Sequence, residues 1–224
     1  MGKFDLHLHS LHSADALPKP ESIAKQALKQ GLAGFAITDH NSTAAFAEFK
    51  KLQKQNRKLL IVLGEEVKII ENEKCAGELL CYFLQEEIKP ASFGEILDSA
   101  KEQDALTSIA HPFDIRRAGF AKDLGKEFRK VDAIEVFNGR ACDKEVNEKA
   151  ASFIEKHKFP FTAGSDAHSL GEIGLAGVEC NAKNKEELRK AILKRKCKVF
   201  GSETTSAFNQ AIISAKARIG GKEK

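Results

Sequence analysis

The chain has no tryptophan and a single tyrosine, Tyr82. Broad binding of single-stranded nucleic acid relies on exposed aromatic platforms for base stacking, so this scarcity counts against such a surface. The five cysteines are Cys75, Cys81, Cys142, Cys180 and Cys197; their number is odd and no two form a C-x-x-C pair. They suggest neither a zinc ribbon nor a disulfide framework, and read as small buried residues in a reducing compartment. No apolar run approaches the length of a membrane span. Asp5 and His7 interrupt the first apolar stretch, so no signal peptide is expected and the expected location is the cytoplasm. Charge of one sign is also missing. The 36 Lys+Arg residues nearly balance 32 Asp+Glu, and a formal net charge of +4 does not by itself argue for a nucleic-acid partner. Low-complexity linkers and internal repeats are absent.

What is present suits one α/β barrel. The length is 224 residues and 42% of them are apolar, enough to fill a single core. One domain over residues 1–224 is expected, with a C-terminal helical tail from about 203. Lys3 to Leu8 alternates strictly, with Phe4, Leu6 and Leu8 on one face and Asp5, His7 and His9 on the other. Pro20 and Gly31 bracket a helix. Further strands are expected at Gly34–Thr38, Leu59–Leu63, Val67–Ile70, Leu79–Phe83, Leu106–Ala110, Ala133–Phe137 and Phe161–Ala163, and a short one at Val199. Helices are expected at Thr43–Lys54, Ser92–Gln103, Lys144–Lys156, Lys185–Lys194 and, in the tail, near Ala207–Ile219. Ser92 and Glu95 have the spacing of a capping box. This alternation implies a mostly parallel sheet with helical crossovers, and a closed barrel would place its site at the C-terminal strand ends.

The polar residues gather at those ends. The first strand ends in D-L-H-L-H-S, giving His7 and His9. The second ends in T-D-H-N, giving Asp39 and His40. The third ends in G-E-E, giving Glu65, and the strand near Leu80 carries Glu78. Then come A-H-P with His111, I-E-V-F-N with Glu135 and Asn138, and G-S-D-A-H-S with Asp166 and His168. His7, His9, His40, His111 and His168 are five of the seven histidines. Such a run of imidazoles and carboxylates is hard to place in an apolar barrel without a metal. His7 and His9 sit at i and i+2, so both rings point the same way, and Asp166 and His168 repeat the spacing. These donors suit Zn, Mn or Fe, and the carboxylates let Mg compete. Paired metals polarise a phosphoryl oxygen and activate water, which makes phosphate ester cleavage the expected reaction class. His157 lies among lysines and reads as solvated or capping, while His12, in the loop after the first strand, is left open between ligand and loop residue. Arg116 and Arg117 follow the H-P-F turn and Arg140 follows the F-N turn. Both loops should open on the metal face, where an arginine fork suits phosphate oxygens.

In this order the motifs resemble the PHP (polymerase and histidinol phosphatase) superfamily. The matching elements are D-L-H-L-H-S, the S-A-D loop at Ser13 to Asp15, I-T-D-H-N, G-E-E-V, I-A-H-P, I-E-V-F-N and G-S-D-A-H-S, from Asp5 to about Gly174. Each is weak alone, but the ordered set is specific. The resemblance implies an α/β fold, a distorted (β/α)7 TIM-like barrel of the PHP type, holding two or three divalent metal ions. It implies His7, His9, Glu65 and Asp166 around one metal, Glu65 bridging to a second that His111 also binds, and Asp15, His40 and His168 around a third. Many members carry a histidine where this chain has Glu78, so a carboxylate would stand in as ligand to the second metal and make the site harder and more anionic. Asp39 is expected either to orient a neighbouring histidine or to cap the helix after it, and Glu135 and Asn138 either to support the ligands from behind or to make ordinary strand-end hydrogen bonds. Glu65, Asp166 and His168 are expected to carry catalysis on a small phosphorylated metabolite or short nucleotide. A 3′-5′ exonuclease and a non-catalytic scaffold, like the ribonuclease P subunit that shares this barrel, are the alternatives. No membrane partner is expected, and the oligomeric state is left open.

Overall fold

The computed structural model describes residues 1–117, 120, 124–141 and 143–202. Cys142 and the tail helix expected near 207–219 lie outside them.

Phe4, Leu6 and Leu8 alternate with Asp5 and His7 along β1 (Gly2–Leu8), and all five are buried. A strand covered on both faces belongs in the middle of a sheet wrapped by helices. Pro20 at the first turn opens α1 (Pro20–Lys29), which buries Ile23, Ala24 and Ala27. β2 (Gly34–His40) and α2 (Phe46–Gln55) repeat the unit, with β2 parallel to β1. β3 (Leu60–Glu71) is parallel to β2.

Here the structure departs from the expected pattern. β3 does not stop at Gly64–Glu66 but runs through to Glu71 as one strand. Asn72 and Glu73 then both take positive φ, 49° and 62°, the turn that closes a tight antiparallel hairpin. β4 (Lys74–Tyr82) is therefore antiparallel to β3, and β5 (Leu106–Ile109) is antiparallel to β4. Between them α3 (Phe93–Glu102) starts at the capping box formed by Ser92 and Glu95. A short α4 (Leu124–Glu127) precedes β6 (Ala133–Asn138). α5 (Lys144–His157) leads into β7 (Phe161–Gly164), with β6 parallel to both β5 and β7. β8 (Ala176–Cys180) was not expected from the sequence; it pairs antiparallel with β1 and, after α6 (Lys185–Leu193), with β9 (Lys198–Gly201).

The sheet order is β7-β6-β5-β4-β3-β2-β1-β8-β9. Its two arms nearly meet. The Asp166 N–H donates to the His7 carbonyl at 2.7 Å, and the His9 N–H donates to the Ala167 carbonyl at 2.9 Å. Gly164 permits the approach, because a Cβ there would lie 2.4 Å from the His7 nitrogen. Seven strands thus curl into a distorted TIM-like barrel, with β8 and β9 extending it at β1. The core runs from Phe4, Phe35 and Phe49 to Ile134 and Leu188. No helix among the described residues is long and apolar enough to cross a membrane.

Candidate metal centre

Five imidazoles and four carboxylates converge at the C-terminal end of the barrel, and Glu66 stands among them. Its Oε2 lies 3.4 Å from Nε2 of both His7 and His9 and 3.0 Å from Nδ1 of His40; its Oε1 lies 3.0 Å from Nε2 of His111. Asp166 Oδ1 is 3.3 Å from His9 Nε2, 3.7 Å from His7 Nε2 and 3.4 Å from His168 Nδ1. Asp15 Oδ1 sits 3.5 Å from Nε2 of both His40 and His168. Glu78 Oε2 is 3.4 Å from His111 Nε2. Two positions that aim these groups adopt left-handed backbone, His111 at φ 25° and Asp166 at φ 55°, a cost non-glycine residues bear mainly at functional sites.

A ring of partners behind the cluster fixes which nitrogens face inward. His7 Nδ1 meets Glu135 Oε1 at 2.9 Å, so a proton on Nδ1 leaves Nε2 as the lone-pair donor. Glu135 also accepts from the His111 N–H at 2.8 Å and from Asn138 Nδ2 at 3.0 Å. His168 Nδ1 lies 2.8 Å from the Asp166 carbonyl oxygen, with the same consequence. His9 Nδ1 is 3.2 Å from the Ser13 hydroxyl, which donates to Asp39 at 2.7 Å. Asp39 accepts in addition from the Ser10 N–H and Ser10 hydroxyl, both at 2.7 Å. It organises the loop and, through Ser13, a histidine; α2 begins after Ala45 and takes no side-chain cap.

The electrostatics follow from burial and mutual proximity. Burial alone would depress the imidazolium of His7, but Asp166, Glu66 and Glu135 hold it well above the ordinary histidine value. His40 is raised in the same way by Glu66 and Asp15. Burial and Arg117 oppose the charge on His111, yet Glu66 and Glu78 lift it to about 9. His9 goes the other way, well below, through burial and repulsion from His168 and His40. Burial would raise Glu66 and Asp166, but His7 and His40 beside the first, and Arg117 and His7 beside the second, keep both ionised well below their ordinary values.

Divalent metal ions fit this donor set. Three groups bring one ligand atom per residue within 4.8 Å of each other: His7, His9 and Asp166; His9, His40 and His168; His40, Glu66 and Glu78. Asp15 Oδ1, His40 Nδ1 and Asp166 Oδ1 are buried, make no well-formed hydrogen bond and face other members of the cluster, an arrangement costly in a core and expected of ligands facing an ion. Mixed imidazole and carboxylate donors suit Zn, Mn and Fe.

One expected residue is misplaced. Glu65 points away from the cluster: its Oε2 accepts the Ile88 N–H at 3.0 Å, and its register partners are Asp39 and Cys81. Successive side chains of a strand face opposite sides, so continuous β3 puts Glu66 inside and Glu65 outside. A signal existed. Val67 and Ile69 share Glu65's face and are fully buried, while exposed Lys68 shares Glu66's face at the mouth. Burial pushes the Glu65 carboxyl up to about 8, helped by Glu87 and Asp39.

The arginines divide. Arg117 is forked onto Asp166 Oδ2 and lies 3.3 Å from Asn138 Oδ1, so it contacts a ligand carboxylate directly. Arg116 is exposed and Arg140 buried, its Nε 3.7 Å from Glu172 Oε1. All three line a cavity of about 710 Å³ together with Asp15, His40, Glu66, Glu78, His111 and His168. Glu172 has no counterpart in the sequence reading; it accepts from the His168 N–H at 3.1 Å and the Ser169 hydroxyl at 2.7 Å. Asp5 was likewise read only as a strand residue, yet it accepts from the Ser165 N–H and the Gly174 N–H, both at 2.9 Å, anchoring the segment that carries Asp166. His157 stands apart from the cluster, half-buried against the rings of Phe128 and Phe153.

A barrel with this cluster at its C-terminal mouth defines an α/β protein whose site could hold metal ions. Residues 144–197 match the model of the family described as PHP-associated. An uncharacterized protein of Methanocaldococcus jannaschii is 37% identical over 192 residues, 83% of this chain and 73% of its own length. A second from the same organism is 34% identical over 167 residues, covering 69% of this chain and 92% of its own. Among solved structures, a two-domain protein from Bacteroides vulgatus containing a predicted PHP-like metal-dependent phosphoesterase superposes with a TM-score of 0.74. It is 17% identical, over 96% of this chain and 69% of that one. The lesion-specific endonuclease of Pyrococcus furiosus superposes with a TM-score of 0.66 at 20% identity, over 88% of this chain and 57% of that one. The chain belongs to one family with the two Methanocaldococcus jannaschii proteins, and its fold is that of PHP-like proteins.

Proposed function

We propose that the chain is a metal-dependent phosphoesterase that hydrolyses a phosphate ester of a small metabolite or short nucleotide. The observation that carries this reading is the convergence of five imidazoles on Glu66 and Asp166 at the floor of a cavity rimmed by Arg116, Arg117 and Arg140. Cationic side chains beside a cation-binding floor suit a phosphate group in charge. His7, His9, Glu66 and Asp166 would hold one ion; His111, Glu66 and Glu78 a second; Asp15, His40 and His168 a third. When bound, divalent ions supply Lewis acidity toward phosphoryl oxygens and lower the pKa of water. The chain's own part is orientation: Glu135, Ser13 and the Asp166 carbonyl fix the imidazoles, and the cavity seats the ester. The fold shared with a lesion-specific endonuclease admits a nucleic-acid substrate, but a chain with no tryptophan and one tyrosine offers little for base stacking. A scaffold has no use for buried, unpartnered ligand atoms. The test is elemental analysis of protein purified without chelator, with hydrolysis of a phosphoester panel under Mn, Zn, Fe and Mg. Absence of metal, or of hydrolysis with every metal, would refute the reading.

A further inference from the structure

We propose that His12, held by Glu48, is the general acid that protonates the leaving oxygen of the ester; this rests on the phosphoesterase reading above. His12 lies in the loop between β1 and α1 and lines the same cavity as Asp15, His40 and His168. Its backbone N–H donates to the Ser10 hydroxyl at 3.3 Å, and that hydroxyl donates to Asp39, so the loop is anchored at the residue itself. The ring is anchored too: Nε2 lies 3.2 Å from Glu48 Oε1, in the first turn of α2.

This imidazole differs from the other three that line the cavity. His40, His111 and His168 each have a ring nitrogen against Glu66 or Asp15, inside the cluster. The carboxylate that meets His12 is instead Glu48 of α2, which is outside the residues lining the cavity. With Nε2 engaged by Glu48, Nδ1 has no hydrogen-bond partner among the described residues and can donate into the cavity. The arginines on the rim cannot serve, because guanidinium does not give up its proton. Imidazole is the general acid enzymes use most, and a carboxylate partner fixes its orientation.

The step balances as follows. A water oxygen forms the new bond to phosphorus and loses one proton to solvent. The bond from phosphorus to the ester oxygen breaks, and its electron pair stays on that oxygen. That oxygen takes the proton from His12 Nδ1 and departs as the alcohol. Solvent returns a proton to the imidazole. A leaving group that is already a weak base needs this proton little, whereas an alkoxide needs it greatly.

The experiment is steady-state kinetics of the full chain, metal-loaded, on phosphomonoesters whose leaving groups run from p-nitrophenol to a simple alkyl alcohol. His12→Gln should lose roughly 10²- to 10⁴-fold in kcat/KM on the alkyl ester, the range general acids command, and less than about tenfold on the nitrophenyl ester. Glu48→Gln should show the same leaving-group dependence with a smaller loss, and both variants should keep wild-type metal content. An equal loss across the series, or no loss on the alkyl ester, overturns the assignment of His12 while leaving the phosphoesterase reading intact. A wild-type protein that hydrolyses no member of the series overturns both.

Discussion

His40 and Glu66 are register partners across β2 and β3, and they meet at 3.0 Å, His40 Nδ1 to Glu66 Oε2. One residue earlier the same register pairs Asp39 with Glu65, on the opposite face. Adjacent glutamates in one short motif therefore have unrelated surroundings. Glu66→Gln should remove a carboxylate that touches four imidazoles. Metal affinity and turnover should fall by more than the ~10- to 100-fold that outer partners of a metal site command. Glu65→Gln should leave both near wild type. Isothermal titration with Mn and Zn on the two variants decides between them, and the reverse order of effects would return Glu65 to the site.

Glu65 should declare itself in stability instead. Its carboxyl is raised from 4.5 to about 8 by burial, with Glu87 and Asp39 adding to the shift. A raised folded-state value means that folding favours the protonated form. The contribution is fully present below about 4.5 and is lost as pH climbs through 8. Over that window this one group should cost the wild type about 1.4 kcal/mol per pH unit relative to Glu65→Gln. Gln keeps an acceptor for the Ile88 N–H, so the comparison isolates the charge. Urea denaturation of both proteins at several pH values measures it. Parallel curves would show that the carboxyl is hydrated in the folded state.

The sequence announces the barrel and most of the cluster because both rest on local signals. His7 and His9 alternate on one strand, and His40, His111 and His168 follow apolar runs that end where the chain turns polar. The parity of Glu65 and Glu66 was harder to read. Gly64 resembles a strand terminus, and only a strand running on to Glu71 makes Val67 and Ile69 report on Glu65's face. The inverted strand β4 depends on a two-residue turn, Asn72–Glu73, that contains no glycine to advertise positive φ. β8 is short, and its pairing with β1 joins residues far apart in the chain. Glu172 matters only because of what folds against it, and no spacing in the sequence brings it to the His168 N–H.

Glu78 stands where the resemblance of the motifs leads one to expect a histidine. Its carboxylate lies 3.4 Å from His111 and 4.0 Å from His40, directly across β3 from Lys68. Glu78→His should preserve metal binding and shift preference toward zinc, because imidazole is the softer donor. Competition between Mn and Zn at fixed protein concentration reads the shift. Unchanged selectivity would place the Glu78 side chain outside the ligand set.

The arginines should separate by what each touches. Arg117 is forked onto Asp166 Oδ2, and Asp166 Oδ1 faces His7 and His9. Removing that guanidinium takes positive charge from a ligand carboxylate, so Arg117→Ala should change metal affinity first and hydrolysis as a consequence. Arg116 has no ligand contact; it lines the cavity from an exposed turn. Arg116→Ala should leave metal content at the wild-type level and weaken substrate recognition, with kcat/KM down by about 1.5–3 kcal/mol for a lost charge-assisted contact. Arg140 lies between these cases, buried, with Glu172 beside it and His168 behind Glu172. Its substitution should lower kcat/KM and also loosen the segment that presents His168. Lysine should rescue Arg116 only in part, since an ammonium keeps the charge but not the bidentate fork. Metal content and kinetics measured in parallel on the three alanine variants make the test. If Arg116→Ala retains full kcat/KM, phosphate recognition belongs to other residues lining the cavity. If Arg117→Ala binds metal as the wild type does, its contact with Asp166 yields when the ion enters.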